Sequence, residues 1–220
     1  MKEIAPTLRY ERRWPVMMTI VAVILLLALL PGPIRLMPLW FTYVLGGAVL
    51  VPIAAVGLTA ARPRWHRVER AVTLLFVVIT AAGTLANLGN LLIAMAQKPA
   101  NFTGLQLLAS SVGVWVTNVL TFSLLYWQMD RGGPDARAQG TDPRPDWLFP
   151  QSGVPDQAPP GWRPVFVDYL FLAYSTATAF STTEVAPLTT RAKLLMMLES
   201  TISLVTIVVV ASRAINIFGS

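Results

Sequence analysis

Four long stretches of this chain carry no charged side chain, and nothing limits its folding more. They are Pro15 to Leu30, Leu39 to Ala61, Ala71 to Ala96 and Leu105 to Trp127. A hydrocarbon core about 30 Å thick asks for roughly twenty consecutive apolar residues in a helix. Within it only helices and closed barrels satisfy their own backbone. Folded in water, such runs would need a polar coat. The chain lacks one: 13% of its residues are charged and 55% hydrophobic, with a mean hydropathy of +0.59, whereas soluble domains run nearer a quarter charged. The expectation is an all-α, polytopic transmembrane helix bundle. It is placed in the cell inner (plasma) membrane as a multi-pass protein, with the lipid bilayer as its first partner.

The 17 Lys and Arg residues outnumber the 11 Asp and Glu, for a net charge of +6. A basic excess can mark a nucleic-acid binder. Here the positive residues sit in short clusters beside the apolar runs, as membrane proteins use them to set orientation, so no nucleic-acid partner is expected. The absence of cysteine excludes disulfides, thiolate metal sites and cysteine nucleophiles together. The single histidine, His66, lies in Arg62-Pro-Arg-Trp-His-Arg with no second histidine to share a metal, and reads as a polar residue at the headgroup level. There is no H-E-x-x-H, no G-x-S-x-G and no cysteine–histidine pair. Asp168 and Glu184 would stand about 24 Å apart along one helix, too far to act together. No catalytic residue, metal site or cofactor is expected, and the chain does not read as an enzyme.

Lys2, Arg9, Arg12 and Arg13 precede the first apolar run, like the charged start of a signal peptide. Pro31-Gly-Pro-Ile-Arg follows where a small-residue cleavage site would stand, so the run reads as a retained helix. Residues 1–127 then form a four-helix membrane region. Residues 128–164 form a polar, Pro/Gly-rich loop holding Asp130, Arg131, Asp135, Arg137, Asp142, Arg144, Asp146 and Asp156. So many charges and helix breakers belong outside the hydrocarbon, in an irregular loop or small cap without a core of its own. Residues 165–220 form a helix–loop–helix pair. Its first apolar segment, Val165 to Phe180, has about sixteen residues against the roughly twenty that a span needs. It is either a re-entrant half-helix or, extended through Pro187, a sixth full span. The final helix is expected from about Thr190 to Phe218, for five or six spans in all.

Positive charges cluster before the first helix and between Arg62 and Arg70, while Arg35 and Lys98 stand alone in the alternate loops. The positive-inside rule places the amino terminus and the Arg62–Arg70 loop in the cytoplasm. Four spans return the polar loop to that side. A sixth span would leave the carboxyl terminus inside, and a re-entrant segment would leave it outside.

Two resemblances add to this reading. Tyr126-Trp-Gln-Met-Asp-Arg-Gly-Gly-Pro, Trp147-Leu-Phe-Pro-Gln, Trp162-Arg-Pro and Asp168-Tyr-Leu resemble a recurring pattern in bacterial integral membrane proteins of no assigned function. That likeness spans about Tyr126 to Phe218 and implies membrane location and a bacterial source. The segment from Asp168 to Lys193 is also similar to the pore-helix, filter and inner-helix start of potassium channels, roughly D-x-L-Y-F-x-x-x-T-x-T-T-V-G-Y-G-D-x-x-P-x-T-x-x-x-R. Without a gap, Asp168, Thr176, Thr178, Pro187 and Thr189 fall on family residues, and Glu184 and Lys193 are close substitutes. The filter departs from the family. Ala179-Phe180-Ser181-Thr182-Thr183-Glu184 stands where the family has T-V-G-Y-G-D. The glycines there permit the torsions that aim carbonyls at the ion, and β-branched Thr183 suits positive φ poorly. The resemblance therefore implies a polar, hydroxyl-lined mouth from Thr178 to Glu184, not a potassium-selective cage. It also implies a homo-oligomer, a tetramer if the pore is real.

Within the apolar runs, Glu199 stands out, because an ionisable group at that depth is costly and marks a functional site by default. It reads as a proton or cation site, or as a neutral carboxyl bonded to a neighbouring helix. Asn87 and Asn90 share a face of the third helix; they line a polar pathway, partner Glu199, or act as helix–helix glue. Two function classes follow: a channel-like or transport pore, and a structural or sensory membrane component without transport.

Overall fold

The structure is a computed structural model. It describes residues 11–31, 35, 37–58, 63–97, 104–139, 144–154, 156–178 and 184–218. Five long or apolar helices, α1 (Trp14–Leu29), α2 (Leu39–Leu58), α3 (Pro63–Gln97), α4 (Gly104–Met129) and α8 (Thr190–Phe218), make the bundle. Between α4 and α8 come a short turn Asp130–Gly132, α5 (Pro134–Gln139), β1 (Trp147–Leu148), α6 (Pro150–Gly153), α7 (Phe166–Thr178) and β2 (Ala186–Pro187). By length and composition, Arg67–Ile93, Leu105–Gly132 and Thr190–Ser212 can each cross a membrane, while α1 and the described part of α2 are shorter apolar helices.

Central to the bundle is α4. It packs on α1, α3, α7 and α8, while α2 lies against α1 and α3. The polarity of the packing is that of a bundle in lipid. Leu29, Val51, Leu75, Leu105, Met197 and Val208 face outward, whereas Thr73, Thr84, Asn118, Ser203 and Thr206 are buried. In water that arrangement would leave large apolar patches uncovered; among acyl chains it costs nothing, and the interior polar groups link helices. Most buried hydroxyls satisfy themselves one turn back. Thr80 donates to the Phe76 carbonyl, Thr84 to Thr80, Ser111 to Leu107 and Thr206 to Ile202, all at 2.7–2.8 Å. Helices α1 and α2 approach closely at Gly46, where an added Cβ would meet Ile24 Cδ1.

The basic stretch Arg62–Arg70, read from sequence as a loop, is helical from Pro63 onward. Proline's fixed φ suits a first helical turn, and the next turns find partners outside the apolar region. Arg13 Nε pairs with Glu69 at 3.2 Å, its Nη2 pairs with Asp135 at 2.9 Å, and Arg70 Nη1 donates to the Gly132 carbonyl at 2.5 Å. The segment before α1, the start of α3 and the end of α4 therefore meet at one polar face of the bundle.

At that face the described residues of the 128–164 segment pack against the helix ends. The turn after α4 has three successive residues at positive φ, Arg131 (51°), Gly132 (75°) and Gly133 (97°), which explains two adjacent glycines there. Trp147 and Phe149 are buried, the first against Tyr126 (ring centroids 4.8 Å) and the second against Tyr169 (5.4 Å) and Trp162 (5.9 Å). Helix α7 has 13 residues, about 20 Å of rise. It does not continue through Pro187. Instead β2 pairs antiparallel with β1, Trp147 opposite Pro187 and Leu148 opposite Ala186.

Candidate functional site

The residues singled out in the sequence fall in three places. Thr178 ends α7, its hydroxyl donating to the Tyr174 carbonyl at 2.8 Å. Glu184 is exposed, two residues before β2. Ala179, Phe180, Ser181, Thr182 and Thr183 lie outside the described residues. Asn87 is buried on α3 and lines a largely apolar cavity with Leu27, Arg35, Phe41, Thr80 and Gly83, and Asn90 is half-buried one turn on.

Glu199 is fully enclosed, at 0% exposure, on the side of α8 that meets α4. The Tyr126 hydroxyl donates to its Oε2 at 2.5 Å. Its Oε1 is buried and has no hydrogen-bond partner among the described residues. One turn on, Asn118 Nδ2 donates to Ser203 Oγ at 3.0 Å and to the Glu199 carbonyl at 3.3 Å, tying α4 to α8. Ser200 Oγ donates to the Thr176 carbonyl at 3.2 Å, tying α8 to α7. Trp115 on α4 meets Tyr174 on α7 edge-on, with centroids 6.2 Å apart. Helix α7 thus runs from the polar face down to the level of Ser200 and Trp115, deep along both long helices.

A second constellation closes this unit at the polar face. Where α7 begins, Glu11 Oε1 accepts the Phe166 backbone N–H at 2.6 Å and Trp127 Nε1–H at 2.9 Å, while Arg137 donates to Glu11 Oε2 at 3.3 Å. Arg137 also donates to the Trp127 and Asp130 carbonyls at 2.9 Å each and lies over the Tyr169 ring. Asp130 accepts the Tyr169 hydroxyl at 2.6 Å and the Asp146 backbone N–H at 2.8 Å. Where the chain comes back to α8, Asp146 accepts from Thr189 Oγ1, Arg191 Nε and Arg191 Nη2, each at 2.6 Å, and its carbonyl accepts the Leu188 N–H at 2.8 Å. In the first turn of α7, Asp168 accepts the Val165 N–H at 2.7 Å. Burial holds its carboxyl above the ordinary range despite that bond.

Sequence reasoning missed this clasp as a site, although its members were in view. Tyr126, Trp127, Asp130, Trp147 and Tyr169 belong to the segments that carry the resemblance to bacterial membrane proteins, and folding brings them together. The available signal was the pairing of isolated acids with aromatics in an otherwise breaker-rich segment. Asp130 pairs with Arg131 at 4.0 Å, but Tyr169 and the Asp146 amide are its closer partners. Compared with protein-family models, with curated proteins and with solved structures, the chain matches none.

Proposed function

We propose that α4, α7 and α8 form a channel-like pore unit in a multi-pass inner-membrane protein. In this reading α7 is a re-entrant half-helix, and Thr178 to Glu184 line a polar mouth that is not potassium-selective. One observation carries it: the chain is pinned to the same face before α7, by Glu11 on Phe166, and after it, by Asp146 on Leu188 and Arg191. The eight steps from Thr178 to Ala186 can extend about 26 Å, enough to climb back along a helix about 20 Å long. The order of long helix, cap, half-helix, return and long helix is also that of the channel module which Asp168 to Lys193 resembles.

On this reading the protein crosses the bilayer five times. The positive-inside rule puts the clasped face in the cytoplasm, so the pore unit is inverted relative to potassium channels and the carboxyl terminus lies outside. Val167, Phe171 and Tyr174 form an exposed stripe along α7, which neighbouring copies would cover in a tetramer. The test is ion flux from proteoliposomes holding the purified protein. Flux above that of empty vesicles, lost on Thr182→Trp, supports the pore. Flux equal to empty vesicles removes it. A second reading, a structural or sensory component without transport, is favoured by the enclosure of Glu199 and Asp146 within one chain.

A further inference from the structure

Among the described residues Glu199 is an acid without a counter-ion. Tyr126 is the titratable group that faces it from α4. On α7, Asp168 is occupied with the Val165 amide, Tyr169 with Asp130, and Tyr174 packs edge-on against Trp115. The ionisable residues of α3 all lie between Arg64 and Arg70, in its first turns. On α8 itself, Arg191 is bound to Asp146, and Lys193 lies in the exposed first turn. No ion pair involves Glu199 among the described residues. A carboxylate enclosed in this way would hold a full negative charge in a low-dielectric interior. A bound cation removes that cost.

We infer that Glu199 is an intramembrane site for a small monovalent cation, a proton or a sodium ion, with Tyr126 as its positioning donor. Three features build the site. Tyr126 fixes one carboxylate oxygen and leaves Oε1 without a hydrogen-bond partner among the described residues. Asn118 clamps the backbone of the same helical turn. Ser200, the next residue on α8, donates its hydroxyl to the Thr176 carbonyl and holds α7 against the same turn. A proton converts the carboxylate to a neutral acid with no other bond changed; a sodium ion would take oxygen ligands. This assignment stands apart from the re-entrant reading, because it concerns the packed α4–α8 interface.

The test is labelling of the full-length protein with the hydrophobic reagent dicyclohexylcarbodiimide, which attacks protonated carboxyls, with the site located by mass spectrometry. The expected result is modification of Glu199 in acid buffer, falling about tenfold for each pH unit above its midpoint. At fixed pH, protection by sodium chloride but not choline chloride identifies sodium; equal labelling in both identifies the proton as the ligand. Tyr126→Phe moves the midpoint, which a tyrosine that merely packs would not do. Absence of Glu199 labelling at every pH, or labelling equal at every pH, overturns the inference. Neither result depends on flux, so the pore reading can fail while this one holds.

Discussion

Asp146 and Arg191, 45 residues apart in sequence, are joined by two parallel 2.6 Å hydrogen bonds at the point where the chain returns from α7 to α8. Their burial is unequal. The Asp146 side chain is 0% exposed and that of Arg191 is 56% exposed, so each partner left alone would meet a different fate. Freed of Asp146, Arg191 turns into water at little cost. Freed of Arg191, Asp146 remains buried as a charge held by neutral donors.

Arg191→Ala should therefore destabilise the protein more than Asp146→Asn, by about 3 kcal/mol against about 1. Thermal unfolding in detergent measures both. Equal losses, or a larger one for Asp146→Asn, would count against the clasp.

Glu11 collects three donors from three segments, and one of them, Arg137, is itself buried. Glu11→Ala strands that guanidinium and frees the start of α7. The expected cost is about 3 kcal/mol, with faster tryptic cleavage at Arg144. Unchanged cleavage would show that the cap is held without the segment before α1.

Tyr126→Phe removes one interhelical hydrogen bond, worth about 1 kcal/mol inside a membrane bundle. Glu199→Gln keeps an acceptor for the tyrosine and should change stability by less than that. Unfolding curves of the two variants rank them, and a larger loss for Glu199→Gln would mean that the carboxyl is needed for folding itself.

A Cβ added at Gly46 would run into the end of the Ile24 side chain. Gly46→Ala should cost about 1–3 kcal/mol through overpacking, and Ile24→Val, which removes the clashing Cδ1, should cost less in the Gly46→Ala background than it does alone. Unfolding of the single and double variants is the check, since that coupling is specific to this α1–α2 approach.

The helices were legible because charge-free runs of helical length have few alternatives; Leu105 to Trp127 read from sequence is α4 to within two residues. The polar cap was legible only as not belonging in lipid. Its order comes from contacts between residues far apart in sequence, such as Glu11 with Phe166 and Asp130 with Tyr169, and no local pattern encodes those. Likewise, Glu199 was visible as an intramembrane acid, but its donor was not. Asn87, one candidate, lies at a cavity formed with α1 and α2, whereas Tyr126 reads in sequence as an interfacial aromatic. The start of α3 was obscured because its basic residues look like a loop until Arg13 and the 130–135 turn are packed beside them.

The chain has no cysteine, so single cysteines at Asp156, Glu184 and Ser220 can each be probed in intact cells with a membrane-impermeant maleimide. The account predicts that Asp156→Cys and Glu184→Cys are both shielded until the membrane is opened, while Ser220→Cys is labelled from outside. Labelling of Asp156→Cys and Glu184→Cys from opposite sides would mean that the chain crosses the bilayer between them, and the half-helix reading would be wrong.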